Sequence, residues 1–161
     1  MRQGFYELVD HITSLLQGGE VYTCYFSGET SDFVRFNRSA IRQPGRVTQR
    51  YITIDLINGK RHGSGTITLT GEAAEDKVRA AALMKQLRDW LPHLPEDPHL
   101  LYATDVHSGE NVKEDRLPTA DDAMSAILEA GRGRDLVGIY ASGGIHAGFA
   151  NSFGQRNWFS S

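Results

Sequence analysis

Apolar residues recur at helical spacing from the start of the chain. Phe5, Leu8, Val9, Ile12, Leu15 and Leu16 share one face, and Gly18-Gly19 follows as a stop signal. The pattern then turns β-like. Glu20–Ser27 is rich in β-branched and aromatic residues, Gly28–Ser31 reads as a turn, and Phe33–Phe36 reads as a second strand. Gln43-Pro44-Gly45 is a further turn signal.

The clearest local expectation is a hairpin of Thr48–Ile57 with Lys60–Thr70 about Asn58-Gly59. A type I′ turn needs positive φ at both central residues, which Asn-Gly tolerates best. Pairing Ile57 with Lys60 and counting outward puts Ile52, Ile54, Leu56, Ile67 and Leu69 on one face. Gln49, Tyr51, Thr53, Asp55, Lys60, His62, Ser64, Thr66 and Thr68 fall on the other. One apolar face and one polar face are what an antiparallel sheet buried on one side requires. Gly63 and Gly65 fall opposite Ile54 and Ile52, marking a bulge or a close approach by another element.

Ala80, Leu83, Met84, Leu87 and Leu91 make the apolar stripe of a helix over Ala73–Leu91, with Glu72, Glu75 and Asp76 at its start. Pro92, Pro95 and Pro98 impose an extended stretch, and the polar run Asp105–Arg116 reads as a surface loop. Thr119-Ala-Asp-Asp122 resembles a capping box and opens a helix that buries Met124, Ile127 and Leu128. From Leu136 two strand-like runs flank a Ser142-Gly143-Gly144 turn, and Asn151-Ser152-Phe153-Gly154 forms a second turn. Trp158 and Phe159 have no downstream partner and read as exposed aromatics at a cut edge. The order predicts an α+β fold: a mainly antiparallel twisted sheet with helices packed on one face.

At 161 residues the chain suits one domain, and a net charge of −3 does not advertise a polyanion partner, so direct nucleic-acid binding is not expected. No apolar run is long enough to span a membrane, and Asp10 and His11 interrupt any signal-peptide core. The single cysteine, Cys24, reads as a small buried hydrophobe in a cytoplasmic protein.

Candidate chemistry is sparse. His11, His62, His93, His99, His107 and His146 form no ligand-like helical pair, and His107-Ser-Gly-Glu110 lies in a glycine-containing loop that fixes no common face. No Gly-x-Ser-x-Gly elbow and no phosphate-binding glycine motif occurs. Arg35, Arg38, Arg42, Arg46 and Arg50 read as a solvated sheet edge. No catalytic, cofactor-binding or metal residue is assigned, and the candidates for peptide or interface contact are His146, Asn151, Ser152 and Trp158.

Phe33-Val-Arg-Phe-Asn-Arg-Ser-Ala-Ile-Arg-Gln43, the Asn58-Gly59 hairpin and Gly63-Ser-Gly-Thr-Ile-Thr-Leu-Thr70 before a long helix together resemble the N-terminal half of the TldD/PmbA family. Leu117-Pro-Thr-Ala-Asp-Asp-Ala123 and Asn151-Ser-Phe-Gly154 extend the resemblance along the chain. It implies that residues 1–161 are the single N-terminal domain of a larger two-domain protein, with the metal-binding C-terminal half absent. It also implies zinc-dependent proteolysis by that other half, through a His-Glu-x-x-x-His helix not found here, or a regulatory role of the gyrase-modulator type. The expected partners are the chain's own C-terminal domain, a second subunit in a homo- or hetero-dimer, and extended peptides.

Overall fold

The computed structural model describes residues 1–114 and 116–161. Helix α1 (Arg2–Ser14) turns Phe5, Leu8, Val9 and Ile12 inward, and Gly18 then takes a positive φ of 55° to reverse the chain. Strands β1 (Val21–Asn37) and β2 (Ala40–Asn58) form a long antiparallel ribbon, and β3 (Arg61–Thr68) returns along β2. Helix α2 (Ala73–Trp90) leads through a short 3-10 turn to β4 (Gly109–Val112). Helix α3 (Ala120–Ala130), β5 (Gly138–Asn151) and β6 (Arg156–Ser160) complete the chain. The sheet order is β3-β2-β1-β5-β6-β4, antiparallel except for the β4–β6 pair.

The architecture is α+β as expected. Tyr22, Cys24 and Phe26 of β1 share a face with Ile52, Ile54 and Leu56 of β2, and the inner stripes of α1 and α2 close over it. Each of these large side chains contributes roughly 1.5–3 kcal/mol on burial. Burial also pushes the Cys24 thiol up to about 12, so it stays protonated. α3 stands apart from that core. Only its Ala123 is buried, and Met124, Ile127 and Leu128, expected to be buried, remain half-exposed. Its start is as read: Thr119 Oγ1 accepts from the Asp122 N–H at 3.2 Å and donates to the Asp122 carboxylate at 2.6 Å. Among the described residues no helix is long and apolar enough to cross a membrane.

Five local expectations are corrected. Gly28–Ser31 and Gln43–Gly45 are not turns, because β1 and β2 run straight through them. The reversal sits instead at Arg38-Ser39, both at positive φ (52° and 56°). Ser39 holds that conformation by sharing its one hydroxyl proton between the carbonyls of Gly131 and Arg134 and accepting from the Leu136 N–H. The next hairpin pairs Asn58 with Arg61, two places from the expected register, and of its loop residues Gly59-Lys60 only Gly59 has positive φ, the type II′ pattern. A shift of two preserves the faces, so the apolar set still points inward. Gly65 and Gly63 now lie opposite Ile54 and Leu56, and a Cβ on them would meet Leu83 at 2.5 Å and Leu94 at 3.1 Å. They are sites of close approach.

The run Asp105–Arg116 contains β4, paired parallel to β6 from Gly109 with Asn157 to Val112 with Ser160. Its polar composition hid a strand made by pairing alone. Ser142-Gly143-Gly144 is likewise no turn but the middle of β5. The turn expected at Asn151–Gly154 is present.

Candidate functional site

The four sequence candidates fall in two places. Asn151 is buried at 2% exposure, and its side chain ties the β5–β6 turn together. Its Oδ1 accepts from the N–H groups of Phe153 at 3.0 Å and Gln155 at 3.1 Å, and its Nδ2 donates to the Ala103 carbonyl at 3.3 Å. Ser152 Oγ accepts from the Tyr22 N–H at 3.2 Å. Both side chains are occupied in holding the turn against β1.

His146 and Trp158 lie side by side on the helix-covered face. Trp158 is not exposed, as the chain's ending suggested, but buried at 5%. Its ring meets those of Phe26 at 5.5 Å, Phe5 at 6.0 Å and His146 at 5.9 Å. The inward alternation of β6 and the close approach of Phe5 over Gly148 make this pocket for an indole. His146 Nδ1 is buried without a hydrogen-bond partner among the described residues. Burial first, then the amino terminus and Arg50, hold the imidazole below its ordinary value of 6.5.

A pH effect follows from that shift. Below about 6.5 the unfolded chain takes up a proton that the folded chain resists, so His146 lowers stability as pH falls through that value. The loss levels off beneath the depressed folded value. His146→Asn should therefore lose less stability than the wild type between pH 7 and pH 5 in urea unfolding. Parallel pH profiles for the two proteins would refute it.

Arg50, expected on a solvated edge, instead lies across β1 from His146. Gly28 pairs with Arg50 on one side and with His146 on the other. Arg50 Nε and His146 Nδ1 are the buried side-chain atoms without a partner among the described residues. The signal was in the sequence: Arg50 shares the parity of Ile52, Ile54 and Leu56, so its side chain starts on the apolar face. Arg46, by contrast, forms a bidentate pair with Asp32 at 2.7 and 2.9 Å.

The third feature is an edge. β6 covers β5 only as far as His146, and Ile145 exchanges hydrogen bonds with Ser161 (2.8 and 3.0 Å). By alternation the N–H and C=O groups of Ile139, Ala141 and Gly143 face the same way, where among the described residues no strand meets them. Gly138–Gly144 carries no charge and no proline. The equivalent stretch of β2, beyond the end of β3, carries Pro44, Arg42 and Arg46, which guard it. At the end of β6 the free edge opens on a groove of about 500 Å³ lined by Lys113, Arg116, Gly143, Gly144, His146 and Ser161. The sequence hides this edge because Gly143-Gly144 has the composition of a turn.

Among the described residues no three His, Cys, Asp or Glu side chains gather as a metal site. His62 instead faces Asp55 at 3.2 Å and Asp97 at 3.9 Å on the exposed side of the sheet.

No known sequence family matches the chain, and no curated protein does. Solved structures do. A candidate modulator of a DNA gyrase from Thermotoga maritima superposes with a TM-score of 0.59 at 13% identity, over 97% of this chain. TldE from Thermococcus kodakarensis gives 0.59 at 14% over 98%. The chain has a TldE-type fold. A candidate DNA gyrase modulator from Bacteroides thetaiotaomicron also superposes on this chain, with a TM-score of 0.60 at 18% identity over 99% of it. The chain spans 37%, 37% and 38% of the lengths of these structures, so the TldE-type fold described here corresponds to part of each.

Proposed function

We propose that this chain is a non-catalytic domain of a TldD/PmbA-type protein and that it holds an extended peptide along the free edge of β5. The observation that carries the reading is the unguarded row of backbone groups at Ile139, Ala141 and Gly143. An added strand gains main-chain hydrogen bonds there whatever its side chains, which suits a binder of unfolded peptides. The shared fold supports the family assignment, and zinc-dependent proteolysis would belong to protein outside these residues.

The test is a titration of the isotope-labelled chain with an unstructured hexapeptide, followed through backbone amides. The amides of Ile139, Ala141 and Gly143 should shift and exchange more slowly, while Arg42 and Arg46 stay unchanged. No response at millimolar peptide would count against the reading.

A second reading is a partner or regulatory scaffold, in a homo- or hetero-dimer or against the protein's own C-terminal domain. The half-exposed Met124, Ile127 and Leu128 of α3 favour it. Protection confined to α3 on adding the remainder of the protein, with β5 untouched, would select this reading. The net charge of −3 argues against direct DNA contact under either one.

A further inference from the structure

Between the first turns of α1 and α2 and the sheet lies a cavity of about 180 Å³. Phe5, Leu8, Phe26 and Leu69 form its apolar walls. An apolar cavity of roughly 150 Å³ is enough for benzene, so this one suits a ligand of about six to eight heavy atoms. Four charged side chains also line it: Arg50, Lys77, Glu7 and Asp76.

The acids and bases differ in how they are satisfied. Asp76 accepts from the N–H groups of Thr70 at 2.8 Å and Gly71 at 2.9 Å and from Thr70 Oγ1 at 3.1 Å. Glu7 accepts from Gln3 Nε2 at 2.9 Å. Neither base, by contrast, has a carboxylate partner among the described residues. Among the described residues Arg50 donates only through Nη1, to the Thr70 carbonyl at 3.1 Å, and its buried Nε has no partner there. The edge left over is Nε with Nη2. Arg46 and Arg88 present that same edge to the carboxylates of Asp32 and Glu20. A guanidinium fork matches a carboxylate in two parallel hydrogen bonds.

We propose that the cavity binds a small monocarboxylate with a short aliphatic tail. The carboxylate pairs with the Nε/Nη2 edge of Arg50, and binding requires the guanidinium to turn its buried Nε toward the cavity. The tail lies against Phe5, Leu8, Phe26 and Leu69. A dianion such as phosphate is disfavoured, because Glu7 and Asp76 line the same space and the walls are apolar. The acid group comes either from a free acid or from the end of a peptide chain.

The probe is 4-methylpentanoate, titrated against the labelled full chain beside its neutral amide, 4-methylpentanamide. The acid should shift the amides of Leu8, Leu69 and Gly71 at millimolar concentration and bind at least about tenfold tighter than the amide. Arg50→Gln should bring acid binding down to the level of the amide. Arg50→Lys keeps the charge without the fork and should fall between, and unchanged thermal unfolding confirms that both variants fold. Gly-Gly-Leu and its C-terminal amide form the second arm, and preference for its free carboxylate assigns the acid group to a chain end. The proposal is overturned if neither acid shifts these amides at about 10 mM, if acid and amide bind alike, or if Arg50→Gln binds the acid as well as wild type. These amides lie apart from Ile139, Ala141 and Gly143, so failure here leaves the peptide edge of β5 standing.

Discussion

Arg88→Met is expected to lower the free energy of unfolding by about 3–5 kcal/mol, the range for breaking a buried ion pair from one side. Glu20, in the link from α1 to β1, is only 7% exposed. Arg88, near the end of α2, holds its carboxylate from Nε at 2.6 Å and Nη2 at 2.8 Å, and Nη2 also reaches the Leu15 carbonyl at 2.9 Å. Without the guanidinium, the carboxylate keeps only the Gln17 N–H at 2.9 Å. The double variant Glu20→Gln with Arg88→Met should recover part of the loss, since no buried charge is then left unpaired. Urea unfolding decides the matter, and a loss under about 1 kcal/mol would show that the pair acts like a surface bridge.

The pair also carries a pH signature. The Arg88 hydrogen bond above all holds the Glu20 carboxyl below its ordinary 4.5. A depressed carboxyl stabilises the fold above its unfolded value, and that contribution fades as pH falls from 4.5 through the folded value. Arg88→Met should flatten this part of the acid-unfolding curve.

The second large effect belongs to Trp158. Replacing it with alanine should cost about 3–5 kcal/mol, as for other buried aromatics. The indole packs against Phe5 and Phe26, so the cavity left behind would be lined by those two rings. In a Trp90→Phe background, which removes the half-exposed indole at 49%, Trp158 fluorescence should resist quenching by acrylamide. Ready quenching and a small stability loss would restore the reading of Trp158 as a contact for absent protein.

These residues show what the pattern of the chain can and cannot reveal. Face assignment was legible wherever polarity alternates strictly, as in Ile52, Ile54 and Leu56 against Tyr51, Thr53 and Asp55. It survived a two-residue error in register because strand parity did not change. Turns were misplaced because glycine has two uses. At Gly28 and Gly45 a Cβ would strike Phe26 and Phe33 at 2.9 and 2.5 Å, so glycine there admits a ring to the strand. Local sequence cannot tell such a position from a turn, since the ring comes from another strand position or another element. The same limit concealed β4, which exists only through its β6 neighbour, and the free edge of β5. Arg50 was legible by parity, but its lack of an acid partner was not.

The two neighbours of β1 also differ in when they reach it. β2 follows directly through Arg38-Ser39, whereas β5 begins at Gly138 and ends by pairing Asn151 with Thr23. On a ribosome adding 5–20 residues per second, the roughly 80 residues between Asn58 and Gly138 take about 4–16 s to emerge. For that interval the hairpin of β1 and β2 carries a bare central edge. Capture of β5 is then the expected slow step of folding, and a premature stop before Gly138 should leave a ribbon prone to pair with another copy.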